Sequence, residues 1–145
     1  MVRFAWPGWW LGLLVGIGTP AAAQVNDPVP KVELRENSPN PVTTTTTIPF
    51  EIHQEVCSTG RLPLVSLKIY NVLVQVVAVP VLSRDTTQPL DNVRLRCGEY
   101  RAFWDGKLLA GGMATAGVYY YQLTVDGERY TRKMIVQHRV TTSQR

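Results

Sequence analysis

The hydrophobic pattern of the chain changes from one continuous apolar run before residue 24 to short, interrupted apolar runs after residue 31. No window in the later part repeats its apolar residues every 3.6 positions, so the pattern predicts almost no helix there. Short runs rich in β-branched and aromatic residues alternate with turn-forming residues, which is typical of β-strands joined by tight connections. Seven strands are expected, at 32–34, 44–52, 64–70, 72–82, 100–104, 118–125 and 128–136.

The two central segments of the chain differ in their pattern. Segment 64–70 (LVSLKIY) alternates clearly, with its aliphatic residues on the face expected to be buried. Segment 72–82 (VLVQVVAVPVL) is apolar almost throughout, which predicts a second strand paired with the first and covered on both faces. The polar, turn-rich stretch at 83–95 predicts a long exposed connection.

Prolines divide the N-terminal part of the sandwich sequence. In the stretch ENSPNP, Pro39 and Pro41 fix φ near about −65° and bias the residues before them away from helical geometry. This predicts a bend between the first and second strands. Pro49 lies inside the second strand and has no N–H, so its nitrogen must face a sheet edge or a bulge.

The last two predicted strands are separated by Asp126-Gly127. This pair readily adopts the positive φ values of a type I′ turn, whose twist matches the flanking strands of a hairpin. The resulting register places Tyr119 and Tyr121 on the more apolar face, which we expect to point inward, with Tyr121 near its rim. Tyr120 falls on the opposite face, which we expect to be solvated.

The first 23 residues have the layout of a secretory signal peptide. Arg3 supplies a positive charge, an apolar run follows at 4–18, and the segment ends in Ala21-Ala22-Ala23. The run is shorter than the roughly 20 residues of a spanning helix, so we expect a cleaved signal helix, with an uncleaved anchor as the alternative. The predicted division is a signal peptide at 1–23, a short linker at 24–30, a β-sandwich at 31–137 and a polar tail at 138–145.

Removal of the first 23 of the 145 residues leaves 122, enough chain for one domain with its own core. Arg3 leaves with the signal peptide, which lowers the formal net charge from +4 to +3. The remaining basic residues are scattered, so no nucleic-acid partner is expected. The expected location is periplasmic, at the outer-membrane surface or extracellular, with membrane contact only through the signal peptide before cleavage.

The strand pattern predicts an all-β fold, a seven-stranded antiparallel β-sandwich of immunoglobulin type. In this topology the second strand runs beside the fifth, which brings Cys57 close to Cys97. Cysteines of an exported chain usually pair, and a disulfide closing this loop of about 41 residues contributes about 3–4 kcal/mol to stability. Two independent thiols are the alternative. Because the cysteines lack the close spacing of zinc ligands, no metal is expected.

The sequence offers little for catalysis. His53 and His138 are the only histidines, and no nucleophile elbow, zinc-binding H-E-x-x-H motif or phosphate-binding glycine loop occurs. Glu51 and Glu55 flank His53, and we expect His53 to lie on the opposite face of a strand from both. No catalytic residue and no cofactor is expected, and the chain is interpreted as not an enzyme.

Three blocks, in their order and spacing, resemble a known family. They are ENSPNPVTTTTTIPF at 36–50, VSLKIYNVLVQVV at 65–77, and the stretch that runs from YRAFWDG to RKMIV at 100–136. Together they resemble the immunoglobulin-like domains related to the flagellar hook-capping protein and, more closely, the C-terminal sorting domains of type IX secretion cargo. The residues that carry the resemblance are Asn37, Pro39, Asn40, Pro41, Trp104, Asp105, Gly106, Gly111, Gly117 and Tyr119.

The resemblance implies a seven-stranded, non-catalytic module that acts in protein sorting and secretion or in cell-surface attachment. Its implied partners are secretion-machinery or cell-surface proteins. In the family, the turn after Tyr70 usually carries glycine where this chain has Val74. Since a β-branched residue resists positive φ, we expect a different turn geometry here. The alternative function is a periplasmic or extracellular binding module that engages a protein or a glycan through its loops.

Several motif residues have both a functional and a structural interpretation. Trp104 is expected to anchor the core rather than to stack on a ligand. Asp105 and Gly106 are expected to make a turn rather than a calcium loop, which needs more oxygen ligands. Because consecutive tyrosines point to opposite faces of a strand, Tyr120, together with Tyr70, is the expected exposed contact.

Overall fold

The computed structural model of the protein describes residues 29–82 and 85–138. The predicted signal peptide, most of the predicted linker and most of the predicted tail lie outside these residues. Within them, no helix is both long and apolar enough to span a membrane. The described chain forms one short 3-10 helix, Gln54–Cys57, and ten strands: β1 Val32–Leu34, β2 Thr46–Ile52, β3 Leu64–Tyr70, β4 Val76–Ala78, β5 Val81–Leu82, β6 Asp85–Pro89, β7 Val93–Arg94, β8 Gly98–Trp104, β9 Gly117–Val125 and β10 Glu128–Val136.

The strands form two antiparallel sheets whose apolar faces supply one core. The first sheet has the order β1-β2-β8-β5-β6, and the second has the order β10-β9-β3-β4, with β7 also paired to β3. The all-β, sandwich-like architecture agrees with the prediction. The predicted number of strands was too low, since the described part of the chain contains ten strands rather than seven.

The core follows from alternation along the central strands, because successive side chains of a strand point to opposite faces. The alternation of buried and less buried positions is complete in β2 and β3. Phe50 of β2 also stacks on Tyr100 of the neighbouring β8, with ring centroids 5.4 Å apart. The largest fully buried side chains include Ile48, Phe50, Ile52, Leu67, Ile69, Tyr121 and Leu123.

The apolar segment 72–82 is divided between the two sheets, so the single strand predicted there, covered on both faces, was wrong. Residues 72–74 lie in a turn, β4 joins the second sheet, and β5 joins the first. Pro80 lies between β4 and β5. Proline cannot donate to a strand ladder, so pairing is interrupted where the chain crosses from one sheet to the other.

The polar segment 83–95 is also more structured than predicted. It contributes β6 to the first sheet and β7 to the second. Between them Leu90 is fully buried, its N–H donates to the carbonyl oxygen of Pro80, and its carbonyl oxygen accepts the N–H of Leu67, each at 2.8 Å. Most side chains described from 88 to 95 are exposed, as predicted, but the segment is not a simple connection, because β6, β7 and the backbone bonds of Leu90 attach it to both sheets.

The turn between β3 and β4 is held by Asn71. Its Oδ1 accepts the N–H groups of Leu73 and Gln75, each at 3.0 Å, and the N–H of Val74 donates to the carbonyl oxygen of Asn71 at 3.0 Å. Val74 has a φ of 61°, the positive value that we expected a β-branched residue to avoid. The bonds to Asn71 determine the turn so completely that the unfavourable conformation of Val74 is retained.

Tyr121 connects the second sheet to the ENSPNP bend of the first. Its hydroxyl group donates to the carbonyl oxygen of Arg35 at 2.9 Å and accepts the N–H of Asn37 at 3.1 Å. The N–H of Arg35 donates to the carbonyl oxygen of Pro49 at 3.0 Å. Because Pro49 has no N–H to return, the carbonyl oxygen of Arg35 remains available to Tyr121.

The prediction that Tyr121 lies near the rim was wrong, since its side chain is fully buried. Its ring packs in the core, and its hydroxyl group has both a hydrogen-bond donor and an acceptor in the backbone of the bend, as a buried tyrosine requires. Burial raises the pKa of the Tyr121 hydroxyl group above its ordinary value.

The second half of the bend caps the edge of β10. Asn40 Oδ1 accepts the N–H of Ile135 at 3.1 Å, and the N–H of Val42 donates to the carbonyl oxygen of Ile135 at 2.7 Å. The peptide bonds before Pro39 and Pro41 are both cis. The bend therefore leaves the first sheet and covers part of an exposed edge of the second.

The predicted disulfide between Cys57 and Cys97 is confirmed, with their Cα atoms 6.1 Å apart. β2 and β8 are antiparallel neighbours, and β2 ends where β8 begins, with Ile52 opposite Gly98. Cys57 follows β2 in the 3-10 helix, and Cys97 precedes β8. The pairing of the two strands thus brings the cysteines together at one end of the first sheet.

Substitution Val74→Gly should stabilise the protein. Glycine removes the cost of about 1–2 kcal/mol that an L side chain incurs at this φ, against an entropic cost of roughly 0.5–1 kcal/mol. We expect a net gain of about 0.5–1 kcal/mol in the free energy of unfolding, measured by urea denaturation. Val72→Gly, in the same turn without a positive φ, is the matched control and should reduce stability; equal effects of both substitutions would contradict the strain at Val74.

Replacement of both cysteines, Cys57→Ser with Cys97→Ser, should lower the free energy of unfolding by about 3–4 kcal/mol through the loss of loop closure. Chemical denaturation under identical conditions measures the difference. The unmodified protein, denatured without reductant, should contain no free thiol. A double variant of unchanged stability would show that the bridge does not contribute to folding.

Tyr121→Phe should lower the free energy of unfolding by about 1–3 kcal/mol, because the buried Asn37 N–H and the Arg35 carbonyl lose their partner. Tyr120→Phe removes a hydroxyl group from the outer face and should change stability by less than about 0.5 kcal/mol. Urea denaturation compares the two variants, and similar losses in both would refute the role of the Tyr121 hydroxyl group.

The Tyr121 hydroxyl group should also make stability depend on pH in the alkaline range. Its pKa is raised in the folded state, so the folded chain holds a proton that the unfolded chain releases above about pH 10. The stabilisation is complete below that pH and is lost as the pH rises through the folded pKa. Tyr121→Phe should therefore reduce the alkaline decline of stability in denaturation curves, and an unchanged decline would contradict the assignment.

Candidate functional site

The outer face of the second sheet brings together the two residues predicted as exposed contacts. Tyr70 of β3 pairs directly with Tyr120 of β9. Lys133 of β10 lies beside Tyr120 on one side of the pair, and Val76 of β4 lies beside Tyr70 on the other. These four residues form one row across four strands, which we call the tyrosine row.

Aliphatic side chains continue from the tyrosine row toward the turn between β3 and β4. Ile135 of β10 lies opposite Val118 of β9, one step beyond the row, and both are exposed. The turn residues Val72, Leu73 and Val74 are 64%, 73% and 78% exposed, and we call these three residues the apolar tip. Single exposed apolar residues are common, but a contiguous group of them marks an interaction surface.

On the other side of the tyrosine row the same face is polar. Lys68 Nζ forms an ion pair with Asp91 at 3.2 Å, and Gln122 Nε2 donates to Thr131 Oγ1 at 3.0 Å. An open groove with a volume of about 550 Å³ runs over this part of the face and reaches the apolar tip. The two polar rows consist of Lys68, Gln122 and Thr131, followed by Ser66, Thr124 and Arg129.

Sequence reasoning identified Tyr70 and Tyr120 but missed the aliphatic residues around them. The strand predicted over 72–82 assigned the apolar tip to the interior. The sequence signal for the turn is Asn71, because asparagine side chains accept hydrogen bonds from backbone groups two residues ahead and so favour turns. The hydrophobicity of the residues that follow concealed this signal.

The Trp104 motif has a structural role. Trp104 is buried, its ring lies 6.3 Å from that of Tyr119, and its Nε1 donates to the carbonyl oxygen of Lys107 at 2.9 Å. Asp105 Oδ1 accepts the N–H of Lys107 at 3.0 Å. Both side chains thus shape the loop that follows β8.

The glycines of the same motif lie in or beside this loop. Gly106 has a φ of 79°, and a Cβ atom there would collide with the carbonyl oxygen of Thr44. Glycine is therefore required where the loop crosses the threonine run. The N–H of Gly111 donates to the carbonyl oxygen of Leu108 at 3.0 Å, and Gly117 begins β9.

Among the described residues, Glu33, Glu51 and His53 offer potential metal-ligand atoms that lie within 4.8 Å of one another. Arg35 lies beside both carboxylates, with Nη2 2.7 Å from Glu51 Oε2 and Nε 3.2 Å from Glu33 Oε1. Its hydrogen bond lowers the pKa of the Glu33 carboxyl group, and the bond to Glu33 raises the pKa of the Arg35 guanidinium. Arg35 Nη1 also lies 3.2 Å from Glu99 Oε1, so one guanidinium pairs with three carboxylates and the cluster is an ion-pair network.

The position of His53 differs from the expectation. Its Nδ1 lies 3.8 Å from Glu51 Oε1, although alternation was expected to turn it away from Glu51. The expectation was wrong, because residues two positions apart on a strand point to the same face, and His53 directly follows β2, which ends at Ile52. The predicted motif residues thus lie in the bend and in the loop after β8, whereas the predicted contact residues lie together on the outer face.

No protein-family model matches the chain, and no curated protein was found to match it. Among solved structures, the chain is similar to the crystal structure of dimeric latent PorU from Porphyromonas gingivalis, with a TM-score of 0.46 and 21% sequence identity. The similarity covers 74% of this chain and 9% of the PorU chain. The chain therefore corresponds to a small part of the length of that protein.

Proposed function

We propose that the protein is a non-catalytic, exported β-sandwich module that acts in protein sorting and secretion or in attachment to the cell surface, in the manner of a type IX sorting domain. The observation that carries the proposal is that the residues of the family resemblance serve the fold. Asn37 and Asn40 hold the bend before β2, and Trp104 holds the loop after β8. Because these residues shape the bend and the loop, we infer that the module acts through other parts of its surface.

The disulfide supports the export of the chain. Cys57 and Cys97 are bonded, and disulfides form and persist in oxidising compartments such as the periplasm and the cell exterior. This agrees with the secretory layout of the first 23 residues. The proposed location is the periplasm, the outer-membrane surface or the exterior.

The side-chain chemistry of the described residues supports a non-catalytic role. Both cysteines are held in the disulfide, which removes them as nucleophiles. His53 approaches Glu51, but that carboxylate is engaged by Arg35.

A second candidate function is a binding module for a protein or a glycan, and the groove beside Tyr70 and Tyr120 favours it. Aromatic rings next to amide and hydroxyl groups, here Gln122 and Thr131, provide both apolar contact and hydrogen bonds. In this function the outer face of the second sheet, rather than the loops, would engage the ligand.

Fusion of residues 24–145 behind a periplasmic reporter in a host with type IX secretion tests the sorting function. We expect the reporter to appear at the cell surface or in the medium, measured by protease accessibility of intact cells. The matched control is the same reporter without the module, which should remain in the periplasm. Retention of the fused reporter in the periplasm would refute the sorting function and leave the binding module as the remaining candidate.

A further inference from the structure

The loops at the two ends of the sandwich differ in how densely they carry charged residues. At the end that carries the apolar tip, the loops 36–45, 71–75 and 105–116 contain three charged residues. Two of these, Asp105 and Lys107, form an ion pair at 3.5 Å, and the third is Glu36. The loops at the opposite end, 53–63, 95–97 and 126–127, contain four charged residues in a shorter total length of chain: Glu55, Arg61, Arg96 and Asp126.

The weakly charged end also exposes aliphatic side chains from two separate loops. The apolar tip comes from the turn between β3 and β4, and Leu109 and Met113, both exposed, come from the loop after β8. The N–H of Leu109 donates to the carbonyl oxygen of Val77 in β4 at 2.8 Å, which ties this loop to the strand that leaves the tip. The exposed residues therefore belong to one end of the molecule.

On the outer face of the second sheet, side chains of different chemical types follow one another with increasing distance from this end. The apolar tip comes first, then the tyrosine row with Lys133, then the row that contains Lys68, and finally the row that contains Arg129. Successive rows are two residues apart along a strand, or about 7 Å. The headgroup zone of one leaflet is roughly 5–8 Å thick, so one step spans the distance from the acyl boundary to the phosphates.

We propose that this end of the sandwich docks on the surface of an anionic lipid membrane, with the apolar tip inserted to the level of the acyl boundary. Tyrosine is favoured at the membrane–water interface, where the ring is in apolar surroundings and the hydroxyl group stays hydrated. Lys133 lies at the depth where its aliphatic stem reaches the headgroups, whereas Lys68 lies one row farther from the apolar tip and is held in its ion pair with Asp91. Basic residues near such a surface add electrostatic attraction to anionic lipids.

Three backbone N–H groups in the turn that carries the apolar tip are hydrogen-bonded within the turn, as an environment without water requires. The N–H groups of Leu73, Val74 and Gln75 are all bonded to Asn71, two to its side chain and one to its carbonyl oxygen. Unsatisfied backbone groups are the main cost of placing irregular chain in lipid. A tip whose amides are satisfied internally avoids that cost at these three positions.

The order of side chains by depth favours a membrane over other occupants of this surface. A peptide or a second copy of the chain would bind through complementary contacts. Neither partner would require aliphatic, aromatic and cationic side chains to follow one another in layers along one axis. The inference names a partner for cell-surface attachment and rests on that part of the proposed function. It adds a membrane contact of the folded domain to the contact that the sequence assigned to the signal peptide alone.

Sedimentation with lipid vesicles tests the proposal on protein purified from the periplasm of an expression host after removal of the signal peptide. Vesicles of phosphatidylcholine with phosphatidylglycerol should bind the protein, and vesicles of phosphatidylcholine alone should bind it more weakly. The variant Val72→Ser with Leu73→Ser should weaken partitioning by about tenfold or more, because two apolar side chains leave the bilayer.

The matched control is Val29→Ser with Leu62→Ser, which removes the same two side-chain types from exposed positions away from the apolar tip and should leave binding unchanged. No binding of the unmodified protein to anionic vesicles, or equal loss of binding in both double variants, would overturn the proposal. So would a dimer in light scattering that the Val72→Ser, Leu73→Ser variant alone abolishes, since a second copy would then occupy the tip.

A fluorescent residue at the tip gives a direct reading of depth. Leu73→Trp should shift its emission to shorter wavelength and become quenched by brominated lipids, while Leu62→Trp should do neither. An unshifted Leu73→Trp on bound vesicles would contradict insertion. Vesicle binding does not involve the secretion machinery, so failure of the reporter fusion and failure of membrane docking are distinguishable.

Discussion

The hydroxyl group of Tyr121 is the contact on which the relation between the two sheets depends. It lies in the core of the second sheet and bonds the backbone of Arg35 and Asn37, where the chain leaves the first sheet. Pro49 makes this contact available, because a residue with an N–H would bond the same carbonyl oxygen of Arg35. A buried hydroxyl group without these partners would be costly, so the bend and the tyrosine require each other.

The bend has a second consequence at the edge of the sandwich. After Asn37, the chain reaches Ile135 and bonds it through Asn40 and Val42, which covers part of the edge strand β10 against pairing with other chains. The polar groups of the bend are thus used inside the fold. At the opposite end of the first sheet, the disulfide joins the end of β2 to the start of β8. The outer face of the second sheet, by contrast, remains open.

Elements with a local signal were predicted well. The hairpin around Asp126-Gly127 has the predicted register, and the first strand was predicted at its observed residues. The candidate site was predicted only in part. Tyr70 and Tyr120 were recognised because alternation assigns a strand residue to one face, but the apolar tip was missed. Hydrophobicity in 72–82 serves a turn, β4 and β5 in succession, and no local pattern distinguishes these three environments from a single buried strand.

The sequence by itself determined the all-β class and the inward and outward faces of the strongest strands, because these follow from residue spacing and strand alternation. It predicted the pairing of the cysteines from the expected topology and from export, and the structure confirms the bond. The tertiary structure alone decided the depth of Tyr121, the positive φ of Val74 and the exposure of the apolar tip. Each of these depends on a bond to a particular group: Tyr121 to the bend, Val74 and the tip to Asn71. Local periodicity predicts which face of a strand a residue occupies. The hydrogen bonds to the bend and to Asn71 determine what surrounds that residue in the folded protein.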